Sequence, residues 1–141
     1  MAFVPKSFTA SATLNASDAE TICTVSAAAG LTLTMPAATG SGYFWKVFIV
    51  TTVTSNTVVI QVANVTDVMQ GLVIAAQDAA DTLVGWETAS TSDTITLNGT
   101  TKGGIRGDYY EITDVATGLF SVRGFVSGTG TEVTPFSAAV S

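Results

Sequence analysis

The chain is 141 residues long, one domain's worth, and a chain of that size buries roughly 68–70% of its unfolded surface without a metal or a disulfide. Charged residues make up 11%, the net charge is −6, and the five cations (Lys6, Lys46, Lys102, Arg106, Arg123) are scattered, which leaves no basic stripe for a phosphate backbone and argues against nucleic-acid binding. Threonine fills the water-facing positions that charge leaves empty, at 24 of 141 residues, and its β-branched side chain favours strand over helix.

The chain opens with "MAFVPKSF", where Phe3, Val4 and Phe8 surround Pro5. No basic n-region leads into a continuous apolar stretch, so no secretory signal is expected. Pro5 cannot donate a ladder hydrogen bond, and its ring biases Val4 toward extended geometry. Residues 1–15 are therefore expected to form an extended N-terminal arm, ahead of a β-sandwich domain over 16–141. Phe3, Val4, Pro5 and Phe8 are candidate partner-binding residues that would add to a sheet edge on another chain. The alternative is that the segment folds back over an edge of its own sheet.

Strands are predicted near 7–14, 20–26 and 31–35. Cys23, the single cysteine, sits in the alternating stretch "TICTVS" and reads as a small buried hydrophobe. With no internal disulfide to form, the chain is expected to fold in a reducing cytoplasm. Leu31, Leu33 and Met35 alternate with Thr32 and Thr34, as in a half-buried strand.

The next predicted strand, 43–53, is apolar on both faces. Tyr43, Trp45, Val47 and Ile49 point one way; Phe44, Phe48 and Val50 point the other, broken only by Lys46. Such a strand lies deep in a layered domain or against another molecule. Lys46 also interrupts the longest apolar run, far short of the ~20 residues of a membrane span, so no membrane association is expected. "SNTVVIQVA" follows, and 43–63 reads as a hairpin with Ser55 and Asn56 in the turn.

Further strands are predicted near 57–63, 68–75, 82–87, 93–97, 108–113 and 118–126. "VIAAQDAADTL" (73–83) is the one plausible helical turn, and no internal repeat stands out. The tail "GTGTEVTPFSAAVS" adds Pro135 and Phe136 to the candidate partner-binding set. Strand signals every 8–12 residues indicate an all-β, single-domain sandwich or jelly-roll-like fold with Gly/Thr-rich turns. Its core is expected to include Leu33, Trp45, Val47, Ile60, Val62, Ile95, Leu97, Ile112, Phe120 and Val122.

Chemistry finds little to use. With no histidine and one cysteine, Ser-His-Asp and Cys-His triads and the usual zinc sites cannot be built. Asp78 with Asp81, and Asp108 with Glu111, are the carboxylate pairs a glycosidase would need. Each is also what a loop or a wet strand face supplies, and Trp86 is the lone aromatic platform. Asp78 and Asp81 lack the dense spacing of a calcium loop. Arg106-Gly107-Asp108 matches an adhesion tripeptide, but in a Gly-rich turn it reads as turn chemistry. Asn15-Ala16-Ser17, Asn64-Val65-Thr66 and Asn98-Gly99-Thr100 match glycosylation sequons, expected to be unused without a secretory route. No catalytic, cofactor or metal site is expected. The residues describe a structural or binding module.

Three segments, "TLTMPAATGSG" (32–42), "DTITLNGTTKGGIRGDYYEI" (93–112) and "DVATGLFSVRGFVSGTGTEVTPFS" (114–137), resemble the small head decoration, or cement, proteins of tailed bacteriophages. The likeness includes the Gly107-Asp108 step, the hairpin Ala116-Thr117-Gly118 and the closing Gly-Thr-Gly. It implies a β-sandwich or jelly roll that binds the outer surface of the icosahedral head as a homodimer or homotrimer. Such a protein clamps adjacent major capsid protein subunits, is made in the bacterial host cytoplasm and ends up on the virion. A receptor- or glycan-binding module of a phage tail fibre or spike is the alternative. Fibres usually come as long trimeric rods with repeats, whereas this chain is short and expected to be complete from Met1.

Overall fold

The computed structural model describes residues 4–140, and Phe3 lies outside them. The chain passes back and forth between two stacked sheets. β1 (Lys6–Phe8), β3 (Ile22–Val25) and β5 (Phe44–Ile49) enter one sheet; β2 (Ala12–Thr13), β4 (Leu31–Thr34) and β6 (Val58–Gln61) enter the other. Within each set the strands are parallel neighbours: Lys6 pairs with Cys23 and Cys23 with Val47, while Ala12 pairs with Leu33 and Leu33 with Ile60. The first half of the molecule is thus a coil whose turns each give one strand to each sheet. Its turns differ in length, so the sequence shows no repeat.

The second half completes both layers. β7 (Val68–Gln77) and β8 (Leu83–Glu87), then β10 (Tyr109–Ala116) and β11 (Leu119–Gly128), extend the first sheet to the order β1-β3-β5-β10-β11-β7-β8. β9 (Thr94–Leu97) and β12 (Phe136–Ser137) extend the second to β12-β9-β6-β4-β2. The fold is all-β, as the threonine content and period-2 patterns indicate. Five of the ten strand pairings among the described residues are parallel, which departs from the antiparallel neighbours of a jelly roll.

Alternation decides which side chains are buried between the layers. Trp45, Val47, Ile49, Tyr110, Ile112, Phe120 and Val122 face inward from the seven-stranded sheet, against Leu33, Ile60, Ile95 and Leu97 of the other. All ten expected core residues are buried. The Trp45 indole meets Phe120 edge-on, centroids 6.4 Å apart, and its Nε1 donates to the Asn15 carbonyl at 3.0 Å. Among the described residues no helix is long and apolar enough to cross a membrane.

Three sequence expectations are corrected. Residues 43–63 do not form a hairpin: β5 and β6 lie in different sheets, joined by a crossover whose Val53 is buried. Local alternation looks the same in a hairpin and in a crossover. Residues 73–83 hold no helical turn; β7 runs on to Gln77 and closes onto β8 with Gln77 N donating to Thr82 O. The one helical element among the described residues is a 3-10 turn, Ala16–Glu20, capped by the Asn15 side chain.

The third correction concerns the N-terminal arm. The expected strand 7–14 is two strands, β1 and β2, one in each sheet, so residues 6–13 are woven into the sandwich. Phe8 enters the core because β1 lies beside β3 and alternation turns Phe8 inward with Val25.

The three sequons are turn motifs. In each, the Asn Oδ1 accepts from the backbone N–H two residues on: Ser17, Thr66 and Thr100, at 2.9, 2.9 and 3.0 Å. The Ser or Thr hydroxyl bonds the same oxygen. An Asn-x-Ser/Thr triplet is what such an Asx turn selects.

Candidate interaction surface

The reactive-looking residues hold loops in place. Five aspartates are buried: Asp18, Asp67, Asp93, Asp108 and Asp114. Asp114 accepts from the backbone N–H groups of Thr39, Gly40 and Ser41 at 3.1, 2.8 and 3.1 Å and from the Ser41 hydroxyl at 2.6 Å. Burial alone would raise its pKa; the Ser41 hydroxyl and these N–H groups outweigh that and bring it down to about 2. Asp108 accepts from Gly104 N, Ile105 N and Ser127 N. For Asp108 burial wins, and its pKa is raised despite those bonds.

These placements dispose of the sequence motifs. Asp108 is buried, so the adhesion tripeptide cannot present its carboxylate. Glu111 lies three residues along β10, on the opposite, outer face of the sheet, which separates that pair. Asp78 and Asp81 occupy the exposed β7–β8 turn. Cys23 is fully buried; burial first, and the nearby Asp18 charge second, push its thiol up to about 11.

The candidate partner-binding residues divide. Val4 is 84% exposed and Pro5 is exposed beside it. Phe8, Pro135 and Phe136 are buried, Phe136 because β12 pairs with β9 and sets it opposite Ile95. Phe8 and Phe136 are core side chains and Pro135 is buried next to Phe136, so none of the three is a free anchor.

A different surface is available, the outer face of the seven-stranded sheet. Register lays its side chains out in rows. One row runs Phe48, Tyr109, Phe125, Ile74 across β5, β10, β11 and β7. The next runs Lys46, Glu111, Arg123, Leu72, Glu87, ending on β8. A third runs Phe44, Thr113, Ser121, Gln70. Phe125 is 54% and Phe44 42% exposed. Tyr109 and Phe125 pack with centroids 5.8 Å apart. Lys46 Nζ sits 4.4 Å over the Tyr109 ring and 4.0 Å from Glu111 Oε1. Exposed Arg123 donates to its neighbour's carbonyl, Val122 O, at 2.7 Å. At one corner Ile22, Phe44 and Lys46 line a shallow cleft of about 330 Å³ with Ala19, Glu20 and Thr21.

The outer face of the five-stranded sheet is unlike it. Its rows are Thr32, Val59, Thr96 and Thr34, Gln61, Thr94, with no aromatic residue and with Thr94 itself buried. One face is a threonine surface suited to water, the other an aromatic and charged surface suited to contact. The signal lay in the two-sided strand 43–50, whose second apolar face is this one. Comparison with protein-family models, curated proteins and solved structures finds no match to this chain.

Proposed function

We propose that this protein is a capsid decoration protein of a tailed bacteriophage, binding the outside of the head and clamping adjacent major capsid protein subunits. The observation that carries the reading is one exposed aromatic and charged sheet face, suited to assembly between protein chains, in a molecule whose buried carboxylates are engaged in holding loops. The likeness of residues 32–42, 93–112 and 114–137 to cement proteins supports the same reading. Binding needs no chemistry here: many copies with modest interfaces gain occupancy through avidity about a symmetry axis. The purified chain, added to heads lacking it, is expected to bind at near-stoichiometric capsid copy number and to stay bound in EDTA. Failure to bind heads, with binding to host-cell surface glycans instead, would overturn it in favour of the fibre or spike module.

A further inference from the structure

We infer that the outer face of the seven-stranded sheet is the self-association surface of this chain, joining two copies face to face about a two-fold axis parallel to the strands and passing between β10 and β11. This rests on the reading of the chain as a homo-oligomer at a virion surface and names the face and residues that make it one.

Charge selects the axis. Glu111 and Arg123 are direct cross-strand neighbours. A two-fold parallel to the strands and between them brings Glu111 of each copy over Arg123 of the other. The four groups then form a closed ring of alternating sign, each carboxylate beside an arginine in both sheets. The same operation sets Tyr109 on the second copy's Phe125, and Phe48 on its Ile74. A two-fold running across the strands and centred on this row does the opposite. It stacks Glu111 on Glu111 and Arg123 on Arg123, which like-charge repulsion forbids. Moving that axis toward the aromatic row lays the Glu111 carboxylate on the Tyr109 ring, whose face is itself negative.

The remaining geometry agrees. The axis superposes six of the seven strands and leaves β1 outside. Two sheets stacked this way keep their strands nearly aligned, the common arrangement of packed sheets. Arg123 contributes an unspent charge: its hydrogen bond goes to a carbonyl, and neither ion pair among the described residues includes it. Six strands about 4.8 Å apart and about 20 Å long cover on the order of 500 Å², less than the ~800 Å² each partner gives in a standard interface. The dimer is therefore expected to be of micromolar rather than nanomolar strength.

The test uses the purified chain alone, by sedimentation equilibrium over roughly 1–200 µM, the range that brackets such an affinity. The wild type is expected to be a monomer–dimer equilibrium weakened by added salt. Glu111→Arg and Arg123→Glu each set like charges against one another across the axis and are expected to weaken the dimer at least about tenfold. The double exchange restores the alternating ring and is expected to return most of the affinity. Phe125→Ser, at an exposed position, is expected to weaken the dimer while the dilute monomer keeps a folded far-UV circular dichroism spectrum. A strict monomer at 200 µM, a trimer, or a double exchange that folds but does not dimerise would overturn the inference. Since no heads are present, that failure is separate from failure of the decoration reading, which head binding alone decides.

Discussion

Asp114 shows how a single carboxylate can hold a loop. Its pKa lies near 2 in the folded chain against about 3.9 unfolded, so the ionised form favours the fold. That contribution, about 2 kcal/mol, is fully present above pH 4 and is lost as pH falls through 2. Asp108 runs the other way: its pKa is raised, so protonation on acidification favours the folded state and masks part of the loss. The clean measurement is therefore the stability difference between wild type and Asp114→Asn across pH 2–7. It is expected to be near 2 kcal/mol at neutral pH and to close toward pH 2; a pH-independent difference would refute the account. Tyr110 is a second residue with a definite expectation. Its hydroxyl is buried without a hydrogen-bond partner among the described residues. An unsatisfied buried hydroxyl costs about 1–3 kcal/mol, so Tyr110→Phe is expected to leave the melting temperature unchanged or raise it. A drop of several degrees would mean that the hydroxyl is bonded.

At the scale of elements, the short edge strand β1 places a buried aromatic four residues from an exposed valine. Phe8 is 6% exposed, Val4 84%. Phe8→Ala is expected to cost about 3–5 kcal/mol, the usual cost of emptying an aromatic site in a core, whereas Val4→Ala stays within about 0.5 kcal/mol. Equal effects from the two would place the strand register wrongly. The crossover from β5 to β6 is held differently. Gly99, at φ +80°, lies so close to the crossover that a Cβ there would stand 1.8 Å from Val53 O. Val53 N also donates to Gly104 O at 2.9 Å, so the turn after β9 and the crossover close on each other. Only glycine combines that backbone conformation with that approach.

For the molecule as a whole, the coil has a kinetic consequence. β1 pairs with β3, β3 with β5 and β11 with β7, so loop closure must precede most of the stabilising contacts. Folding dominated by non-local strand pairing is slow, and refolding by stopped flow from urea is expected on the order of milliseconds to seconds. A microsecond phase accounting for the full amplitude would contradict the topology. The two outer faces differ: threonine rows on one side, aromatic and charged rows on the other. The face-to-face dimer draws on that asymmetry: it covers the aromatic and charged rows and leaves the threonine rows outward.

The sequence by itself determined the class, most of the strands and the ten named core side chains. Alternation at 31–35 and 94–97 placed Leu33, Ile95 and Leu97 inward, and the ten core side chains were legible because period-2 burial is a local property. The Asn-x-Ser/Thr triplets were present as well, although their turn chemistry hid behind the sequon pattern. Tertiary structure alone decided which strands are neighbours. The crossover at 50–57, the coil of β1 to β6, and the burial of Phe8 and Phe136 all depend on partners far away in sequence. It also decided which of the two apolar faces of 43–50 is covered. A strand's own residues fix which side chains share a face, but what lies over that face is settled by the pairing of distant segments. That is why alternating core positions such as Leu33 and Ile95 could be read from the sequence, whereas the burial of Phe8 and Phe136 could not.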